Sequence, residues 1–132
     1  MARVEWPLAH DRPAIDIVLT RTQDGRKLAR TVLADTGAST AKARFEFILD
    51  DGDCLACGEA LTQTLTLGGA YSGSFPRYIM RVEIPQLDFD DFLFVIGVPL
   101  LPAGLDGIAC FCFLNRFTYG NFGDPNQFGL EE

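Results

Sequence analysis

The chain is 132 residues long, the size of one domain, and its 48% hydrophobic and 22% charged residues are ordinary globular usage, which excludes a disordered chain. Eleven phenylalanines supply unusually heavy aromatic filling. A formal net charge of −7, with only eleven Lys and Arg scattered along the chain, excludes nucleic acid and anionic membranes as partners, because phosphate binding needs clustered cations; a peptide, protein or small molecule is left.

The first residues, MARVEWPLAHDRP, interrupt their apolar residues with Arg3, Glu5, His10 and Asp11, so they lack the unbroken apolar block of a signal peptide. Further on, FLFVIGVPLL and IACFCFL fall well short of the roughly 20 apolar residues that span a bilayer. The expectation is a soluble cytoplasmic protein, with its four cysteines as reduced thiols.

In chain order, AIDIVLTR sets Ile15, Ile17 and Leu19 against Asp16, Val18 and Thr20, and RKLARTVLA follows after a turn containing Asp24-Gly25. That pattern predicts an antiparallel hairpin. The segment from Thr40 to Glu59 has a weak helical pattern in ARFEFILDDGDC and a turn signal over Asp50 to Asp53, and it is assigned to neither. LTQTLTL, GGAYSGS and YIMRVEI predict a longer hairpin with a glycine-rich tip and Tyr78, Met80, Val82 and Ile84 on one face. FLFVIGV is a continuous apolar run of strand length, which predicts a strand buried on both faces. GIACFCFLNRF predicts a strand turning into a short helix near residues 111 to 117, and FTYGNFGDPNQFGL predicts two short strands around Asp124-Pro125-Asn126. There is no internal repeat and no linker, so residues 1–132 are read as one mainly β domain.

Two constellations compete for chemistry. Cys54-Leu55-Ala56-Cys57 has the spacing of a zinc knuckle, and Cys110 with Cys112 would complete four thiolates. No second CxxC is present, and ACFCF is so apolar that buried free thiols are the simpler account; no metal and no cofactor are expected. His10 is the only histidine and lies near the terminus, where a surface position is expected; a Ser-His or Cys-His pair would need it to fold back.

The other constellation is VLADTGAST, residues 32 to 40, where three strand-forming residues run into one acid followed by small residues. Asp35-Thr36-Gly37-Ala38-Ser39 resembles the active-site loop of the retropepsin-like aspartic proteases, the single-domain relatives of retroviral protease. The resemblance extends over nearly the whole chain: a hairpin and an apolar strand before the acid, a glycine-tipped hairpin after it, then a buried strand and LDGIACFCFLNRF entering a short helix. Where the family has a second glycine in that last segment, this chain has Gly107-Ile108-Ala109-Cys110.

What the resemblance implies is an all-β fold with one short helix, an acid-protease-type β-barrel, and an aspartic endopeptidase. Such hydrolysis needs two carboxylates sharing one proton, one a general base toward water and the other a general acid toward the carbonyl oxygen. Two like charges that close cannot both ionise, so they titrate as a pair. The chain holds one Asp-Thr-Gly; Asp106 and Asp124 lack the Thr-Gly. The second carboxylate is therefore expected from a second copy, in a two-fold homodimer. By the same resemblance Asp35, Thr36 and Gly37 are the catalytic loop, with Thr36 bonding across the interface and Gly37 allowing close approach. Ala38 and Ser39 would hold substrate backbone. The hairpin from Leu67 to Ser74 would be a flap, with Gly68, Gly69 and Gly73 giving mobility and Tyr71 covering a bound peptide. A fold of this kind without cleavage, serving as a dimerising or peptide-binding module, is the alternative.

Overall fold

The structure is a computed structural model that describes residues 2–132. Ten strands and two short α-helices make up most of it, so the mainly β expectation holds.

The first hairpin is β2 (Ala14–Thr20) and β3 (Lys27–Ala34), antiparallel with Ile15 opposite Val32 and Leu19 opposite Leu28. Ile15, Ile17 and Leu19 are fully buried, as their alternation predicts. Asp24 accepts from the Arg26 amide at 3.1 Å, and Gly25 turns the chain at φ 73°, a left-handed value that favours glycine. The second hairpin joins β5 (Gly58–Leu67) to β6 (Gly73–Ile84) across a single 3-10 turn at Gly69–Tyr71, with a register irregularity between Ala60 and Thr64. Tyr78, Met80, Val82 and Ile84 are the buried face of β6, again as the pattern predicts.

Closure comes from strands distant in sequence. β4 (Phe47–Asp50) pairs in parallel with β7 (Phe89–Val98) and antiparallel with β8 (Gly107–Ala109), while β8 runs parallel to β3. Pairing of Val18 with Glu83 and Leu19 with Val82 joins β2 to β6, which closes the ring β2-β3-β8-β4-β7-β6 into a six-stranded barrel. β5 extends the sheet beyond β6. A separate three-stranded antiparallel sheet is built by β1 (Arg3–Pro7), β10 (Gln127–Glu131) and β9 (Thr118–Gly120), with β10 in the middle. The last two strands meet around the expected Asp124 turn, where the Asn126 amide donates to the Asp124 carboxylate at 2.9 Å.

β7 departs from its expectation. Val95 to Val98 are buried, but Phe92 is 64% and Phe94 is 37% exposed. Their neighbours on β6 are Arg81 and Ile79, and the Arg77 guanidinium lies 3.7 Å from the Phe94 ring centroid, so no apolar layer covers that outer face.

The unassigned segment contains a helix. In α1 (Asp51–Cys57) the Asp50 carboxylate accepts from the Gly52 amide at 2.9 Å, capping the N-terminus, while Asp51 and Asp53 complement the dipole there. Cys54 and Cys57 turn inward, and Asp53 takes a two-pronged bond from Arg30 at 2.7 and 2.9 Å. The helix expected near residues 111 to 117 is α2 (Phe111–Leu114). Its Phe113 is fully buried, 4.6 Å from the Phe47 ring centroid and 5.3 Å from that of Phe117, so aromatic packing fills the core beneath this helix.

Neighbouring residues of the central strands feed two different cores. Val32, Phe47, Leu49 and Ala109 belong to the main cluster, whereas Leu33, Ile48, Ile108 and Cys110 belong to a second one. Period-two alternation forces this split, and it makes β3, β4 and β8 apolar on both faces. The second cluster is where the site lies.

Candidate active site

Asp35 stands one residue beyond β3. Its amide donates to the Ala109 carbonyl at 3.0 Å, continuing the β3–β8 ladder, and its side chain is half-buried. One carboxylate oxygen, Oδ1, accepts from the Gly37 amide at 3.0 Å, and the Asp35 carbonyl accepts from the Ala38 amide at 3.1 Å. A Cβ on residue 37 would sit 3.3 Å from that oxygen, so a larger residue there would press on the carboxylate. Ser39 takes a left-handed φ of 71°, and the Phe111 amide at the start of α2 grips the Ala38 carbonyl at 2.9 Å. The loop is therefore held from both ends while Thr36 and Gly37 face outward, exposed.

An open cleft of about 810 Å³ lies over the carboxylate. Asp35, Gly37, Ala38 and Ser39 line one side, and Gly68, Gly69 and Tyr71 of the β5–β6 tip line it as well. Thr36 is the member of the expected set that does not line it, and Gly73 also lies outside. Tyr71 is half-buried against the second core, and that burial pushes its phenol upward from the usual tyrosine value. Most of the remaining lining is apolar: Leu33, Phe45, Ile48, Ile108 and, from the β7–β8 loop, Leu100 and Leu101. Leu100 is 79% exposed, a large apolar side chain at the rim.

The other two acids considered from the sequence are occupied elsewhere. Asp106 accepts from the Thr31 amide at 2.9 Å, and Asp124 serves its turn. Among the described residues, Asp35 is the one carboxylate that lines the cleft.

Cys110, at the position where the resemblance implies glycine, is fully buried in the second core, with its amide bonded to the Glu46 carbonyl at 3.0 Å. Burial, then the nearby Cys112, Asp35 and Glu46, pushes its thiol far above the ordinary cysteine range. Cys54 and Cys57 sit on α1 in the main core instead, so the four thiols are divided between two cores. Among the described residues no three His, Cys, Asp or Glu side chains converge on a position that would hold a metal ion. His10 is exposed. Among the described residues no helix is long and apolar enough to cross a membrane.

Sequence reasoning missed Arg12 and the wall from Leu100 to Pro102, all of which line the cleft. The apolar PLLP stretch in a loop was the available signal for that wall; Arg12 gave none. No protein-family model matches the chain, and neither does any curated protein or solved structure.

Proposed function

We propose that this protein is a retropepsin-like aspartic endopeptidase whose catalytic dyad is formed by Asp35 from each of two copies in a homodimer. The observation that carries the reading is the joint position of Asp35 and the glycine-tipped hairpin on one apolar cleft. A half-buried carboxylate on a loop of small residues, with a peptide-sized groove in front of it, is half of the required chemistry. The exposed Thr36 and Gly37 are the residues a second loop would approach.

In the dimer one Asp35 is ionised and takes a proton from a water held between the two. That water attacks the peptide carbonyl, and the other Asp35 gives its proton to the carbonyl oxygen. Collapse of the tetrahedral species breaks the C–N bond, with the amine protonated by the first carboxylic acid. The apolar walls exclude bulk water, and the β5–β6 tip closes over the substrate.

The test is hydrolysis of an unstructured protein between about pH 4 and pH 7, with Asp35→Asn as the control. Asn keeps the volume and the acceptor for the Gly37 amide but cannot share the proton. Cleavage lost in the variant, with an unchanged melting curve, supports the reading. Cleavage that survives Asp35→Asn overturns it, and absence of cleavage by the native dimer leaves peptide binding without hydrolysis as the function of the same cleft.

A further inference from the structure

Arg12 and Asp35 are the only charged residues that line the cleft among the described residues. Arg12 is held in place by its backbone. Ala9 and Arg12 exchange both amide-to-carbonyl bonds, at 2.9 and 3.0 Å, around His10 and Asp11 at φ 52° and 60°. The two left-handed residues make a tight reversal. Pro13 then fixes the chain direction, and its carbonyl accepts from the Ala34 amide at 2.9 Å. Arg12 and Asp35 thus flank a single hydrogen bond between neighbouring backbones.

Within one copy the guanidinium has no ion pair and no hydrogen bond among the described residues, whereas Arg3, Arg21, Arg30, Arg81 and Arg116 each pair with a carboxylate of the same copy. In a protein with net charge −7, an arginine left free beside an apolar groove is available to a ligand.

We infer that Arg12 is a specificity-determining residue that takes a carboxylate of the bound peptide, so that the preferred segment is apolar where it crosses Asp35 and acidic where it passes Arg12. The inference rests on reading the cleft as a peptide site. Arginine presents its N–H groups as a planar fork that matches a carboxylate in two bonds, and the adjoining apolar wall weakens the competition from water. Because Arg12 is exposed, the expected selectivity is about twofold to fivefold. The carboxylate has two sources, a Glu or Asp side chain and a free peptide C-terminus.

The experiment uses peptides with one apolar core and a single Glu, Gln or Lys moved through the flanking positions, each made with a free and an amidated C-terminus. Cleavage by the native protein and binding to Asp35→Asn are both measured at about pH 6, where a peptide Glu is ionised. The expected result is a Glu-over-Gln ratio of about twofold to fivefold at one position, reduced by Arg12→Lys, abolished by Arg12→Gln and inverted in favour of Lys by Arg12→Glu. A ratio that follows the free terminus rather than Glu identifies the terminus as the carboxylate. Equal handling of Glu and Gln peptides by the native protein overturns the inference while leaving the protease reading intact. So does an Arg12→Gln variant that keeps the native ratio or differs only in dimer dissociation. If nothing is cleaved, the protease reading falls and the binding measurement alone decides Arg12: acid-selective binding that is lost in Arg12→Gln supports it, and absence of binding of any peptide overturns it.

Discussion

The amide of Asp35 donates to the carbonyl of Ala109 at 3.0 Å, so the acid's position is set by β8 rather than by its own strand alone. β8 in turn is wedged against β4 with no room to spare. A Cβ on Gly107 would fall 2.6 Å from the Ile48 carbonyl oxygen and 2.5 Å from Leu49 Cδ2. Gly107→Ala is expected to cost about 1–3 kcal/mol by urea titration and to lower cleavage beyond what the unfolded fraction explains. Full activity in that variant would show that β8 does not position the acid.

Activity should depend on concentration. With one cleft carboxylate per chain, specific activity is expected to fall on dilution in step with the dimer fraction measured by sedimentation. Constant specific activity in a demonstrably monomeric sample would rule out a shared dyad.

Phe113 anchors the helix whose first amide holds the Ala38 carbonyl. Phe113→Ala removes a fully buried ring packed on Phe47 and Phe89 and should cost about 3–5 kcal/mol in thermal or urea unfolding.

Alkaline pH should destabilise the fold through Cys54. Burial, reinforced by Asp51 and Asp53, pushes this thiol from 9.0 up to about 12. The folded state keeps its proton where the unfolded chain has lost it, so the contribution is fully present below about pH 9 and is lost as pH rises toward 12. The slope attributable to this group is at most about 1.4 kcal/mol per pH unit. Urea titrations across that range should show a shallower decline in Cys54→Ala than in the native protein.

Gly69 sits at the hairpin tip with φ 72°, and a Cβ there would meet nothing within 4 Å. Gly69→Val therefore acts on backbone conformation alone, at about 1–2 kcal/mol of strain. The tip is expected to rearrange, so cleavage should fall several-fold while the melting temperature changes far less than in Phe113→Ala.

The hairpins were legible because their signals are local: Asp24-Gly25 and Gly68-Gly69 encode turns, and alternation marks the buried faces of β2 and β6. The Asp35 loop and the hairpin tip were legible for a similar reason, as short stretches of distinctive residues. α1 was not, since Asp, Gly and Cys are weak helix formers and its support comes from burial of Cys54 and Cys57 and from distant Arg30. β1 was equally hidden, because its partner β10 lies at the other end of the chain. The outer phenylalanines of β7 misled, as an apolar run does not reveal whether its outer face meets another layer. Arg12 joined the site only through the Pro13–Ala34 bond, a tertiary contact with no trace in residue spacing.

The parallel pairing of β3 with β8 also sets an order of events. Parallel neighbours cannot form by local zipping, and in sequence β4 to β7 lie between these two. Closing so large a loop is entropically slow, so the two hairpins are expected to form first and β8 to dock late. Until it docks, Asp35 has neither the Ala109 carbonyl nor the grip of Phe111 on its loop. A chain emerging from the ribosome would carry the acid long before it carried the strand that aims it, and partly folded copies would present no ordered carboxylate to their neighbours.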